Sequence, residues 1–389
     1  MKFSLFAALA VAVPLALAPT AGAAAAPGAD APSTPRVTVA RAEAGTAIKG
    51  HYIVTLKDGA DAEGFVKAKA LKSRFQYDGV MDGFAAQLND TQLRRLQDDP
   101  NVLAIEEDQR ATATTTQYNA PWGLDRVDQR GNTLDGAYTY AGTGTGVRAY
   151  IIDTGIDVRH SEFGDRASNV FDAFGGNGGD CNGHGTHVAG TVGGATYGVA
   201  KNVLLRGVRV LDCSGSGSYS AIISGFDWVR NNAIRPAVAN ASLGGGWSSA
   251  MNNAATNLAN SGVHLAVAAG NDNVDACDVS PASAPGTITA AASDRYGRKA
   301  SFSNWGSCTD LYAPGVGITS AAAGGGATTM SGTSMASPHI SGVAALYKAA
   351  HGDASSSTVN NWLIGNSTAN VIGGNVGSTP NRLLYKSTL

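Results

Sequence analysis

Nothing after the N-terminus reaches 18 consecutive apolar residues, so the body of the chain has no helix-length membrane span. There is no excess of positive charge. The 28 Lys and Arg stand against 30 Asp and Glu, which excludes a basic field for nucleic acid. No CxxC pair occurs, so a zinc site lacks its usual ligand spacing. Gly-x-y periodicity is absent although glycine numbers 50, which rules out a collagen-like chain. No internal repeat is visible. Charged residues make up only 15% of 389, which argues against disorder.

The little charge there is falls unevenly. Residues 51–110 hold 8 basic and 11 acidic residues; residues 111–389 hold 16 and 17. That drop in density marks a domain boundary near Arg110. Ahead of it, Lys2, the apolar run Leu5 to Ala18 and the small-residue site Ala21-Gly22-Ala23 describe a signal peptide over 1–23. The expected product is secreted and extracellular, with no membrane partner. Residues 24–48, rich in Ala, Pro, Ser and Thr, read as a linker.

The four cysteines are Cys181, Cys213, Cys277 and Cys308. An even count in a secreted chain favours two disulfides, with three connectivities open. Nearest-neighbour pairing gives Cys181–Cys213 and Cys277–Cys308, each closing a loop worth about 3–4 kcal/mol of unfolded-chain entropy.

Residues 49–110 alternate element types. Strands are expected over His51–Lys57, Gly83–Leu88 and Asn101–Ile105, and helices over Gly64–Phe75 and Thr91–Leu96, the second capped by Asp90. This is a small α+β domain. The uncharged stretch 111–120 reads as a processing linker that a protease can enter. From 121 to 389, short apolar strands alternate with Ala/Gly-rich helices. Strands are expected at Val147–Ile152, Val203–Leu211, Ala237–Ala241, Val263–Ala269 and Thr287–Ala292. Helices are expected at His184–Val192, Tyr219–Ala233, Ser248–Ser261 and Ser334–Ala350. That alternation argues an α/β domain with a mainly parallel sheet covered on both faces. The glycine string Gly142 to Gly146 precedes its strand, so it is not a dinucleotide loop.

Four residues stand where chemistry is possible. Ser334, in GTSMASPH, begins an Ala-rich helix after small residues that let another chain approach. Taken alone it reads as a helix cap. His184 is flanked by two glycines at a helix start. His187 is three residues on, but a third metal ligand at helical spacing is missing. Asp153 ends a strand, where parallel sheets place ligands and catalysis. Asn271 ends another and can donate an amide to an oxyanion.

In the order Asp, His, Asn, Ser these motifs resemble the subtilisin family of serine proteases, nearest the proteinase K and aqualysin branch. The matching strings are IIDTGI, GHGTHVAG, SLGGG, AAGND and GTSMASPH, spread over residues 121–385. GHYIVTLKDG, GFAAQL and PNVLAIEED resemble that family's inhibitor-like propeptide. The resemblance implies a three-layer subtilisin-like fold, preceded by a propeptide that acts as folding template and transient inhibitor. It implies a monomeric endopeptidase acting on proteins and peptides. Ser334 would be the nucleophile, His184 the base, Asp153 its orienting partner, and Asn271 with the Ser334 amide the oxyanion donors. A lipase would order its Ser before its Asp and His, the reverse of this chain. A binding protein on a dead protease fold would lack one of the four.

The resemblance also assigns substrate binding. Gly215-Ser216-Gly217 and Ser242-Leu243-Gly244 would flank the substrate as an added strand. Leu243, Gly244, Ala268, Ala269 and Gly270 would line an uncharged pocket suited to large apolar or aromatic residues before the cut, and Tyr219 would cover a more distant subsite. Calcium is implied at Pro285, Thr287 and Asp310, and at Asp125, Asp128 and Gln129. The cysteine pairing fits aqualysin-like members.

Overall fold

The structure is a computed structural model that describes residues 36–42, 47–110 and 114–389. The expected signal peptide lies outside the described residues. The chain divides after Gln109 into two compact units.

The first unit carries β1 (Val39–Ala40), β2 (Ala47–Leu56), α1 (Ala62–Ala68), β3 (Ser73–Tyr77), β4 (Gly83–Gln87), α2 (Asp90–Gln97) and β5 (Val102–Gln109). The sheet order is β1-β5-β2-β4-β3. Its pairs are antiparallel apart from β1 with β5. Alternate residues Val54, Leu56, Phe84 and Ala86 face Val66 and Leu96 of the helices in one small core. Three expectations change here. The helix set at Gly64–Phe75 stops at Ala68, because Ala70 turns left-handed at φ 51° and the chain re-enters the sheet as β3. The second helix is capped by Asn89, not Asp90: Asn89 and Gln92 exchange side-chain and backbone hydrogen bonds in a capping box. The linker 24–48 is partly ordered, since Val37 and Val39 pack on the core and β1 pairs with β5.

The second unit opens with β6 (Thr115–Tyr118), α3 (Trp122–Val127) and β7 (Ala137–Tyr140). The stretch 111–120 is therefore not all linker, because β6 pairs antiparallel with β7. The chain continues through β8 (Arg148–Asp153), β9 (Ala167–Asp172), α4 (His184–Gly193), β10 (Leu204–Arg209), α5 (Tyr219–Asn232) and β11 (Ala237–Ala241). It then forms β12 (Gly245–Gly246), α6 (Ser249–Asn260), β13 (His264–Ala268), β14 (Val279–Ser280), β15 (Ile288–Ser293) and β16 (Leu311–Pro314). It ends in the β17 (Ile318–Ala321) and β18 (Ala327–Met330) ribbon, α7 (Thr333–His351), α8 (Ser356–Asn366), β19 (Thr368–Ala369) and β20 (Arg382–Leu383).

The central sheet runs β19-β20-β16-β15-β13-β11-β8-β10-β9, parallel except for β19 with β20. Every residue of β11, β13 and β15 is buried, as expected of parallel strands covered on both faces. Residues of α4, α7 and α8 share one core, and those of α5 and α6 share the other. The result is the expected three-layer α/β fold. Strand β8, seventh in that order, lies between β10 and β11, so the carboxyl ends of these strands open onto one crevice.

Candidate active site

Asp153 ends β8 fully buried, and His184 is the first residue of α4. His184 Nδ1 lies 2.7 Å from Asp153 Oδ1. Two glycines permit this. Gly183 caps α4 at φ 103°, a left-handed conformation, and a Cβ at Gly185 would collide with the Gly155 carbonyl. Burial by itself would lower the imidazole's proton affinity. The Asp153 charge and hydrogen bond, with the Asp180 charge, outweigh it, so His184 sits above its ordinary 6.5.

Ser334 is the second residue of α7. Its hydroxyl donates to the Ser242 carbonyl at 3.2 Å. Asn271 follows β13, with its carbonyl oxygen accepting from the Thr333 amide at 2.8 Å and from the Thr333 hydroxyl at 3.0 Å. This leaves its NH2 for another acceptor. A Cβ built on Gly332 would stand 3.6 Å from Asn271 Nδ2 and 3.6 Å from the Ser334 amide nitrogen. Two donors, with Asn271 Oδ1 at 3.7 Å, thus border one small space at the start of α7, where residue 332 has no side chain.

The helix that carries Ser334 is fixed by groups whose positioning role the motifs did not assign. Pro338 has no N–H, so the Ser334 carbonyl loses its i+4 partner in α7. The Ser242 hydroxyl replaces it at 2.7 Å. Buried Asn240 donates to that hydroxyl at 2.8 Å and accepts from Ser337 and Ser341 at 2.7 and 3.1 Å, riveting β11 to α7. Asn304, also buried, donates to the Ala269 carbonyl and accepts from the amides of Asp272 and Val274, so it holds the turn that presents Asn271. The signal for Asn240 was a polar side chain inside an apolar stretch, whereas Asn304 sits in the polar run SFSNWGS and had none.

The segments expected to bind substrate border this crevice. Gly215 and Gly217 are exposed, but Ser216 commits its N–H to the Asp212 carboxylate and its C=O to the Asp212 amide. The Tyr219 hydroxyl donates to the Gly246 carbonyl at 2.7 Å. Ser242 and Leu243 are buried with Gly244 exposed, and Ala268 and Ala269 are buried beside Gly270. His187 and His339 are buried under the site, held neutral at about 4 by burial. His187 Nε2 hydrogen-bonds the Ile318 carbonyl at 3.0 Å.

Disulfides join Cys181 to Cys213 and Cys277 to Cys308. Among the described residues no three His, Cys, Asp or Glu side chains form a metal-holding group. The first calcium set combines one carboxylate with main-chain oxygens. Burial pushes Asp310 up to about 6, and only the Thr289 amide bonds to it, at 2.7 Å. The Thr287 carbonyl receives the Asn360 amide at 3.3 Å, and Pro285 is exposed. In the second set, Asp125 accepts from the amides of Asp135 and Gly136, Asp128 accepts from Thr139 at 2.6 Å, and the Gln129 amide turns to the Thr133 carbonyl. Burial raises Asp128 to about 6, although Lys386 pulls the other way.

Known proteins match both units. A subtilase family model matches residues 144–382, and a peptidase inhibitor I9 model matches residues 51–114. An extracellular serine proteinase of Thermus sp. (strain Rt41A) is 46% identical over 384 residues, covering 91% of this chain and 94% of its own. Proteinase R of Parengyodontium album is 45% identical over 312 residues, covering 77% and 80%. A crystal structure of a cold adapted subtilisin-like serine proteinase matches at 50% identity and a TM-score of 0.68, over 70% of this chain and 99% of that one. The chain belongs to the subtilase family and is a subtilisin-like serine protease preceded by an I9 inhibitor propeptide.

Proposed function

We propose that this protease is secreted, frees itself from its propeptide, and hydrolyses peptide bonds through an acyl-enzyme on Ser334. The observation that carries the proposal is the space flanked by Asn271 Nδ2 and the amide of Ser334, the residue that bears the hydroxyl. An entering carbonyl oxygen fits that space. Ser334 then rotates from the Ser242 carbonyl to His184, which accepts the hydroxyl proton as the oxygen attacks. The oxyanion rests on the two donors. Asp153 holds the imidazolium, which returns its proton to the leaving amine, and water releases the acid product. The absence of a Ser334–His184 hydrogen bond at rest agrees with such bonds tightening only on substrate binding. Mass spectrometry after treatment with a sulfonyl fluoride tests this reading. An adduct on Ser334 with loss of activity is expected, whereas an adduct elsewhere with Ser334 unmodified overturns it.

Gly217 and Gly244 offer exposed main chain for an extended substrate, while Gly215 donates its N–H to the Asp212 carbonyl and Ser216 is already engaged. The uncharged walls at Leu243 and Ala268 to Gly270 favour large apolar or aromatic residues before the cut. A peptide-amide library with an equal or stronger preference for acidic residues would contradict that. The mature chain is expected to begin between Ala111 and Gln117, and a start between residues 111 and 115 would keep the β6–β7 ribbon whole. N-terminal sequencing reads this directly, and a start after Tyr118 would contradict it.

Structural calcium fits the first set of ligands. Asp310 is a half-buried acid with no cation against it among the described residues, and neighbouring carbonyls are the hard oxygens calcium prefers. The second set fits less well, since buried Arg126 and Lys386 already act on Asp128 and Gln129 faces away; we place no ion there. Chelation should lower Tm in the parent and leave an Asp310→Asn variant unmoved.

A further inference from the structure

We propose that Asp180 is the positioning residue for His184, clamping the strand end that bears Asp153 to the helix start that bears His184. The proposal rests on the acyl-transfer reading of this same site and extends it. The Asp180 carboxylate accepts five hydrogen bonds. Its Oδ1 takes the Thr154 hydroxyl at 2.8 Å and the amides of Asn182 and Gly183 at 3.0 and 2.8 Å. Its Oδ2 takes the Thr186 amide at 2.9 Å and the Thr186 hydroxyl at 2.6 Å.

These donors belong to two elements. Thr154 follows directly on Asp153, and its own amide donates at 2.8 Å to Asp153 Oδ1, the oxygen that meets His184. The Thr154 hydroxyl also accepts from the Gly185 amide at 2.9 Å. Gly183 and Thr186 bracket His184 at the start of α4. Glycine at the cap position supplies no side chain, so Asp180 performs the capping from outside the helix.

Charge gives the clamp a second consequence. His184 is the first residue of α4, where the helix dipole disfavours an imidazolium. A carboxylate beside the same turn opposes that field. The other groups around His184 are Asp153 at the end of β8, and His187 and His339 behind it, both neutral through burial. Arg209 of β10 faces Asp172. Asp180 is thus the second carboxylate acting on this imidazole, and the one not used in the proton relay.

Asp180→Asn removes the charge and replaces one acceptor with a donor. In the mature enzyme, kcat should fall about tenfold with KM little changed. The acid limb of kcat/KM should move to lower pH by about half a unit or more. The His184 imidazole, titrated by NMR in a Ser334→Ala precursor, should shift the same way. Thr154→Val keeps every charge and breaks the clamp: kcat should fall with the acid limb unmoved, and Thr154→Ser should restore it. The Thr154 pair keeps the idea testable if Asp180→Asn does not fold. An unchanged imidazole titration in Asp180→Asn, or an unchanged kcat in Thr154→Val, overturns the proposal. An imidazole that shifts while the acid limb stays put supports Asp180's hold on His184, and overturns instead the assignment of His184 as base.

Discussion

The two units are built to different standards. The propeptide holds 19 charges in residues 51–110 and a core of ten buried apolar residues, with no disulfide. The protease unit holds 33 charges in residues 111–389, two buried cores on opposite faces of a nine-stranded sheet, and two disulfides. Small domains bury a smaller fraction of their surface and are marginal on their own. A unit that only has to fold, block and be removed gains from such marginality. A unit that must survive its own activity does not. The contrast teaches that the chain separates disposability from durability by composition as much as by fold.

The sharpest way to break this division of labour is Ser334→Ala. It should abolish peptidase activity and leave the precursor as one uncut chain on a denaturing gel. A mature-length product from the purified variant would mean that another protease, not this site, removes the propeptide.

Asn271→Ala should come next. It deletes one oxyanion donor and leaves Asp153, His184 and Ser334 in place. The expected fall in kcat is on the order of 10²–10³-fold, the size such a donor is worth in subtilisin itself rather than a value obtained from this geometry. If one site performs both reactions, self-cutting and peptide hydrolysis slow together. A self-cut that keeps its rate while peptide hydrolysis collapses would separate the two.

Much of this site was legible because motif residues lie at element ends that the apolar pattern locates. Asp153 ends an apolar strand, and His184 and Ser334 begin Ala/Gly-rich helices. The parallel sheet was legible for the same reason, since its strands are short, apolar runs. Less legible were elements whose pattern is weak. Helix α8 is mostly Ser, Thr and Asn with Val359 and Leu363 among its few buried residues, and β6 is an uncharged tetrapeptide that only its pairing with β7 defines. The end of α1 was hidden because Ala70, not glycine, takes the left-handed turn. Asn240 and Asn304 were hidden for another reason. Their roles exist only through partners distant in sequence, such as Ala269 for Asn304 or Ser337 for Asn240.

Equal damage to the two cores should sharpen the comparison further. Phe84 and Phe226 are both fully buried, and truncating either to alanine costs about 3–5 kcal/mol. That loss is a large share of a whole domain's stability. Phe84→Ala should therefore unfold the propeptide within the Ser334→Ala precursor, seen as loss of amide protection in β2 and β5. Phe226→Ala should leave protection in β11 and β13. Protection retained in Phe84→Ala and lost in Phe226→Ala would reverse the ranking of the two units.

Acid should expose the smallest difference, and in the opposite order. His187, His264 and His339 of the protease unit are pushed down by burial to about 4, 3 and 4. Below the ordinary 6.5 the unfolded chain takes up protons that the folded unit refuses, so stability falls as pH drops from 6.5 toward those values. Raised groups act the other way: the His184 contribution builds as pH falls to 6.5 and is full below it, and Asp125, Asp128 and Asp310, all raised by burial and the last two to about 6, gain in calcium-free protein. The depressed histidine shifts are larger, so the net change in this unit is a loss. The propeptide's shifted acids are Asp99 and Glu107, both lowered. For Asp99 the Lys69 contact and the Asn101 bonds overcome burial; for Glu107 the Arg41 contact leads. Their contribution is present above the ordinary 3.8 and 4.5 and is lost only as pH falls through the lower folded values. Hydrogen exchange on the calcium-free Ser334→Ala precursor, corrected for intrinsic rates, should show β11 and β13 losing protection between pH 7 and pH 5 while β2 and β5 hold theirs. Loss confined to β2 and β5 over that interval would place the acid-sensitive groups in the propeptide and contradict the histidine argument.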